Sequence, residues 1–319
     1  MNVLFVSSTR VGDAILSTGL LERILTDHPD AWITVACGPA AAPLFERVPN
    51  LQRIIVLDKM LFSLHWLRLW LLCIGTFWDL IIDLRNAPVT YLLLHKKRKG
   101  MAKSREAERR VEMITRVLDL PEVAAPKLWT GEEEEQAAKQ LIPDGSPVLA
   151  VGPTANWRAK TWRSEYFVEL IAELTGDKGI LPGARVAIFG RDDERPMVLR
   201  LIDALPEDRC VDLVGRLDLL TVHACLKRCD FYVGNDSGLM HLAAASGLPT
   251  LGLFGPTQEA LYAPWGERTG IVRTKVPFEE IFPSDFDHRT SESLMDSLTV
   301  EMAATGARDL WARCQGAAE

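Results

Sequence analysis

Cysteine is sparse in this chain, six residues in 319, and their spacing suggests no disulfide framework. That excludes a small stapled scaffold. His223, Cys225 and Cys229 lie close together but lack a fourth ligand and fall in a helical pattern, so they read as buried groups rather than a zinc site. A long uninterrupted apolar run is also missing. The most hydrophobic stretch, LFSLHWLRLWLLCIGTFW at 61–78, is broken by His65 and Arg68 and reads as a core or interfacial helix, not a membrane span. The opening MNVLFVSS is a strand without a basic leader or a small-residue cleavage site, so the chain is expected in the cytoplasm. No Walker lysine motif occurs, and neither half's first strand is followed by G-x-G-x-x-G. These absences argue against a P-loop kinase and a typical nicotinamide dehydrogenase. No short-period repeat is present.

What is present is a globular composition, 48% apolar and 25% charged, at a length that suits two domains. The net charge of −7 is unevenly spread. Residues 1–145 carry 18 basic and 18 acidic groups, whereas 146–319 carry 18 basic and 25 acidic. The N-terminal half is therefore the better host for an anionic partner. Its basic groups concentrate at 96–110, with eight Lys or Arg against two Glu. Taken alone, such a run is usually a solvated helix face.

Strand and helix patterns alternate twice. NVLFVSS, AWITVAC, RIIVLD and DLIIDL read as buried strands separated by helices at 14–29, 40–48 and 61–78. A basic run, a helix at 111–120 and an acidic helix at 131–141 follow. The turn-rich PDGSP at 143–147 is the linker candidate. Beyond it, PVLAVG, RVAIFG, RCVDLVG, DFYVGN and PTLGLFG alternate with helices, the first of which opens at Ser164 as its expected N-cap. Continuous Val/Ile/Leu strands divided by helices predict parallel sheets covered on both faces. The expected fold is therefore α/β, with Rossmann-like domains at 1–145 and 146–319 and a terminal helix free to pack back on the first. Such sheets bind ligands beyond the carboxyl ends of their strands.

Four strand-to-helix turns carry chemistry. After the first strand, Arg10 and Gly12 precede Asp13, which suits an N-cap or a carboxylate that accepts a proton from a hydroxyl. The turn GPTANWRAKTW offers Thr154 and Asn156 as hydrogen-bond donors and Lys160 as a point charge for phosphate. In GRDDER, Asp192 or Glu194 suits ribose hydroxyls, or else complements a helix dipole. In VGNDSGLMHLAAA, Asp236, Ser237 and Gly238 bring free N–H groups and a helix start together, with His241 on the same helix side. The alternative for His241 alone is a satisfied core histidine.

These motifs resemble glycosyltransferase family 9, the ADP-heptose:lipopolysaccharide heptosyltransferases. The carriers are RVGDAILSTGLLERILTDHPDAWITV, GPTANWRAKTW, FGRDDER and VGNDSGLMHLAAASGLPTLGLFGPT, with LMDSLTVEMAATGARDLW at the end. The resemblance implies a GT-B fold, two Rossmann-like parallel-sheet domains facing across a cleft. It implies Asp13 as general base in an inverting, metal-independent transfer of heptose to an inner-core acceptor. Thr154, Asn156, Lys160, Asp192, Glu194, Asp236, Ser237, Gly238, Met240 and His241 are the implied donor-binding residues. Arg10, Gly12, Arg85, Lys96, Lys97 and Arg98 are the acceptor-side candidates. The chain departs from the family at Asn156 and Arg158. No D-x-D pair stands at a suitable turn, and the adjacent Asp192 and Asp193 do not converge. The expected partners are a nucleotide-sugar donor and an anionic lipid-linked saccharide, with peripheral contact at the inner face of the inner membrane. No cofactor and no nucleic acid are expected. The competing readings are a transferase of another sugar nucleotide and a non-catalytic nucleotide-binding module.

Overall fold

The computed structural model describes residues 1–102, 108–284, 286–287 and 291–316. The chain divides into two compact units, Met1–Gly131 and Glu132–Glu319.

The first unit holds β1 (Asn2–Val6), β2 (Trp32–Cys37), β3 (Leu51–Val56), β4 (Trp78–Asp83) and β5 (His95–Gly100), joined by helices α1 (Val11–Asp27) and α2 (Leu64–Cys73) and followed by α3 (Arg110–Thr115). Every pairing is parallel and the sheet order is β3-β2-β1-β4-β5. β1 is buried along nearly its whole length, which explains its unbroken Val-Leu-Phe-Val run. One face of the sheet packs Leu4, Val6, Ile55 and Ile81 against Leu69 and Cys73 of α2. The helix expected at 40–48 is a 3-10 segment, Pro39–Phe45, with Pro43 inside it.

The basic run departs from its helical reading, because His95–Gly100 is the edge strand β5. Charged side chains are a common means of keeping an edge from pairing with another chain. Residues 103–107 of the run, Lys103 and Arg105 among them, lie outside the described residues.

The second unit holds α4 (Glu132–Leu141), β6 (Val148–Gly152), α5 (Ser164–Thr175), β7 (Arg185–Ile188), α6 (Arg195–Asp203), β8 (Cys210–Asp212), α7 (Leu219–Leu226), β9 (Phe231–Asn235), α8 (Gly238–Ala245), β10 (Thr250–Phe254), α9 (Glu259–Tyr262), β11 (Thr269–Arg273) and α10 (Val300–Gly316). Its parallel sheet runs β11-β10-β9-β6-β7-β8, the doubly wound order of dinucleotide-binding folds. The acidic helix α4 belongs here because it packs on α7, with Lys227 paired to Glu135 at 2.7 Å.

The terminal helix, allowed above to return to the first domain, is a core element of the second unit. Ala303, Ala304, Ala307 and Leu310 of α10 are buried with Leu170 of α5 and Leu251 of β10. Small alanines let the helix approach the sheet closely. Ser164 is the first helical residue, not the cap. Arg163 stands at the N-cap, and the Ser164 hydroxyl donates to the Met197 carbonyl at 3.1 Å. Cys225 and Cys229 are buried free thiols, and no three His, Cys, Asp or Glu side chains converge as a metal site among the described residues.

Candidate active site

In each sheet the strand order reverses beside the first strand of the unit, between β1 and β4 in one and between β6 and β9 in the other. Crevices at such reversals are where open α/β sheets bind ligands.

In the first unit, the turn after β1 leads into α1. That helix begins at Val11 with Arg10 at its N-cap and no side-chain cap. Asp13 is therefore inside the first turn and does not cap it. Its Oδ1 accepts from Arg110 Nε at 2.9 Å, and its Oδ2 from the Ser8 hydroxyl at 3.4 Å. The Asp13 side chain is 14% exposed and Arg110 29%. The carboxylate is thus held by a cation yet still meets solvent. Arg10 is exposed and Gly12 partly buried beside it.

Across the reversal, β4 ends in the fully buried Asp83. Its carboxylate accepts from Arg98 Nη2 at 2.8 Å, Thr90 Oγ1 at 2.7 Å and the Arg85 amide at 3.0 Å. Arg98 is thus committed to an internal network, with the Tyr91 ring 3.7 Å beneath it. Arg85 lies over the Trp66 ring at 4.4 Å, and its buried Nη1 makes no hydrogen bond. Burial pulls its guanidinium below its ordinary range, with the Asp83 charge opposing. Of the acceptor-side candidates, Arg85 therefore has donor capacity to spare. Lys96 and Lys97 do not share this edge. They lie at the amino end of β5, lining a different cavity with Arg23, Asp27 and Asp79. A strand rises about 3.3 Å per residue, so Lys96 stands roughly 13 Å along β5 from Gly100.

In the second unit, the turns after β6 and β9 meet. Lys160 Nζ donates to Asp236 Oδ2 at 2.9 Å, with both side chains largely buried. Asn235 ties the same two turns together. Its Oδ1 accepts from the Trp162 amide at 3.1 Å and its Nδ2 donates to the Pro153 carbonyl at 2.8 Å. Ser237 is the N-cap of α8 and supplies no side-chain cap, so the first amides of the helix from Gly238 have no side-chain acceptor there. His241 is buried one turn further on. A lysine, a helix start and a close backbone can hold a diphosphate.

Other expected donor contacts are placed differently. Thr154 Oγ1 donates to Glu194 Oε2 at 2.7 Å, and the Arg191 amide donates to the same oxygen at 2.9 Å. This pair is internal and braces the turns after β6 and β7. Asp192 is exposed at that edge, as is Asn156. Met240 is fully buried against Gly252 of β10 and so belongs to the core.

Sequence reasoning missed two features. Arg110 reaches Asp13 from 97 positions away, with no local signal of the pairing. Tyr232 is fully buried on β9, and its hydroxyl lies where a Cβ on Gly152 or Gly234 would stand. Burial raises that hydroxyl's pKa, and the Asp236 and Glu194 charges push the same way. The two glycines at or next to the strand ends, Gly152 and Gly234, readable in the sequence, were the available hint.

Two Rossmann-like parallel sheets in tandem, each with polar turns at its strand-order reversal, make a fold of the GT-B class. The family model for glycosyltransferase family 9 (heptosyltransferase) matches residues 81–281, and the chain belongs to that family. It is 28% identical to lipooligosaccharide heptosyltransferase 2 of Haemophilus influenzae, over 98% of this chain and 100% of that one. Its fold is similar to that of E. coli ADP-heptose lipopolysaccharide heptosyltransferase II, with a TM-score of 0.74, 22% identity, and coverage of 99% of this chain and 100% of the other. The E. coli heptosyltransferase WaaC with ADP-2-deoxy-2-fluoro heptose matches with a TM-score of 0.69 and 19% identity, covering 97% of this chain and 99% of that one. The chain is a glycosyltransferase.

Proposed function

We propose that this protein transfers heptose from ADP-heptose to an inner-core lipopolysaccharide acceptor with inversion at the anomeric carbon. The observation that carries the reading is the Lys160–Asp236 pair beside the start of α8 at the strand-order reversal of the second sheet. There Lys160 and the amides from Gly238 hold the donor diphosphate. Asp236 orients the lysine, and Asp192 is the carboxylate available for ribose. The names of the relatives supply the donor and acceptor classes.

In the first unit, Asp13 takes the acceptor hydroxyl proton. The oxygen forms a bond to the anomeric carbon while the bond from that carbon to the diphosphate oxygen breaks. ADP leaves with the electron pair, and the proton remains on Asp13. The reacting sugar passes through an oxocarbenium-like state, as in glycoside hydrolysis. Negative charge grows on the leaving diphosphate, where Lys160 and the helix start stabilise it without a metal. Arg110 keeps Asp13 oriented, and Arg85 offers its spare N–H groups to an acidic group of the acceptor. An acceptor of this kind is lipid-linked, so the protein works from the cytoplasm as a peripheral visitor to the inner membrane face.

The test is incubation with ADP-heptose and purified truncated core acceptors, read by product mass, with and without EDTA. Heptose addition that EDTA leaves unchanged supports the reading. Transfer by Asp13→Asn at the wild-type rate would overturn the base assignment. Transfer only from another sugar nucleotide would overturn the donor.

A further inference from the structure

Helix α2 turns an apolar face outward. Leu64, Leu67, Arg68, Leu71 and Leu72 follow the spacing of one helical stripe, and all are exposed. The opposite stripe, His65, Leu69 and Cys73, is buried on the sheet. The helix is thus apolar nearly all round, but only one side has a partner. The exposed surface continues at both ends. Before the helix, Leu61 is 81% and Phe62 94% exposed, and Phe77 is exposed after it. Phe62 and Ser63, within the short 3-10 turn Leu61–Ser63, both have left-handed backbone, and Phe62 projects from it. Beside α2 lies the Pro88–Leu92 turn, where Tyr91, Leu92 and the following Leu94 are also exposed. Scattered surface leucines need no explanation, but a run of this kind does.

The charges within this face are basic, and the exposed Asp58 stands at its margin. No Asp or Glu occurs from Lys59 to Trp78, nor from Leu84 to Arg105. Lys59 and Arg68 are exposed within the first stretch. Arg53 donates to the Leu72 carbonyl at 2.7 Å, and Arg85 stacks on Trp66. A symmetric dimer would set this patch against its own copy, bringing Arg68, in the middle of the apolar stripe, against like charge. No helix among the described residues is long and apolar enough to cross a membrane, so α2 can lie only in a membrane's plane.

We infer that the outer face of α2, with the Leu61–Phe62 tip and the Tyr91–Leu94 edge, is the surface by which this protein rests on an anionic lipid bilayer. The leucines enter the headgroup–acyl boundary, and Arg68 reaches back to phosphate on its aliphatic stem. Tyr91 lies exposed at the border of the face, where amphipathic rings favour an interface. The Leu61–Phe62 tip follows the carboxyl end of β3, and Asp13 follows the carboxyl end of β1 in the same parallel sheet. The inserted tip and the hydroxyl-accepting turn therefore share one edge of the first unit. The inference deepens the proposed reading by naming the surface that meets the membrane; the placement beside Asp13 rests on that reading, whereas the exposed apolar face does not.

The test is flotation of the full-length protein with vesicles of phosphatidylglycerol in phosphatidylcholine, against phosphatidylcholine alone, at low and high salt. No donor or acceptor is present, so the outcome is independent of the transfer assay. Wild type is expected to float with the anionic vesicles and to bind less as salt rises. Leu67→Gln/Leu71→Gln should lower vesicle affinity by about tenfold or more. Arg68→Glu, at an exposed position, guards against a folding defect in the first variant and should also weaken binding. Wild type that ignores anionic vesicles, or variants that float as wild type does, would overturn the inference. So would a stable dimer in solution that Leu67→Gln/Leu71→Gln splits.

Discussion

The turn after β1 and the turn after β9 are built alike but furnished differently. Each follows a central parallel strand, each leads into a helix without a side-chain cap, and each holds a carboxylate paired with a cation at 2.9 Å. In the second unit the cation, Lys160, comes from the neighbouring turn across the strand reversal. Both partners there are nearly sealed, and Asn235 stitches the two turns together. In the first unit the cation, Arg110, comes from the start of α3, and both partners meet more water. Under the proposed mechanism, the contrast fits one scaffold serving two needs. A fixed anion must be met by a cation and amides that do not reorganise as charge develops. A proton acceptor must stay reachable by a hydroxyl.

The sharpest way to break that comparison is Asp13→Asn. We expect transfer to fall by roughly 10²–10⁴-fold, the span of a lost general base, while ADP affinity measured by calorimetry stays unchanged. Equal loss of ADP binding would mean the two turns are not divided by role. Next comes Lys160→Ala, expected to lower turnover by about 10²-fold and to weaken ADP binding as well. It also leaves Asp236 as a largely buried lone charge, at a cost of roughly 3–5 kcal/mol in a denaturant titration. Lys160→Ala/Asp236→Asn should regain stability without regaining turnover.

A smaller effect tests the floor of the donor turn. Gly234→Ala puts a methyl into the Tyr232 hydroxyl and should cost about 1–3 kcal/mol in thermal or urea unfolding. Adding Tyr232→Phe should return part of it. The smallest effect probes where the units ought to agree. Burial raises Cys37 of the first unit and Cys225 of the second each to about 12, from 9.0. Both thiols should resist alkylation in the native protein at pH 8. The sign follows from the raised values. These thiols bind protons more tightly folded than unfolded, so their contribution is complete below pH 9 and fades as pH climbs towards 12. An unfolding series across that range, read by circular dichroism, checks it.

Most of the architecture was legible because parallel strands buried on both faces must be continuous Val/Ile/Leu runs. The edge strand β5 was not legible. HKKRKG carries no apolar alternation, and its pairing comes from backbone hydrogen bonds to β4. Charge-rich sequence and a solvated helix look the same until the neighbouring strand is in place. Among the site candidates, Lys160, Asp236 and the start of α8 came together because both turns are tied to strands flanking one reversal. Arg98, Thr154, Glu194 and Met240 read as ligand contacts in the sequence, and the fold also engages each of them internally. A buried carboxylate or hydroxyl must find a partner, and the nearest available one is a protein group. Lys96 and Lys97 share a motif with Arg98 but stand at the wrong end of the strand, a matter of pitch that a motif does not carry.

By itself the sequence determined the alternation of elements, the two sheets and the turns that hold polar groups. Hydrophobic periodicity and turn chemistry are local, and a chain of this length obeys them wherever it folds. Only the tertiary structure decided which polar groups are spent on each other, that Arg110 reaches Asp13, and that α2 shows leucines on its free side. Those outcomes depend on distances between residues far apart in the chain, and such distances exist only once the strands have paired.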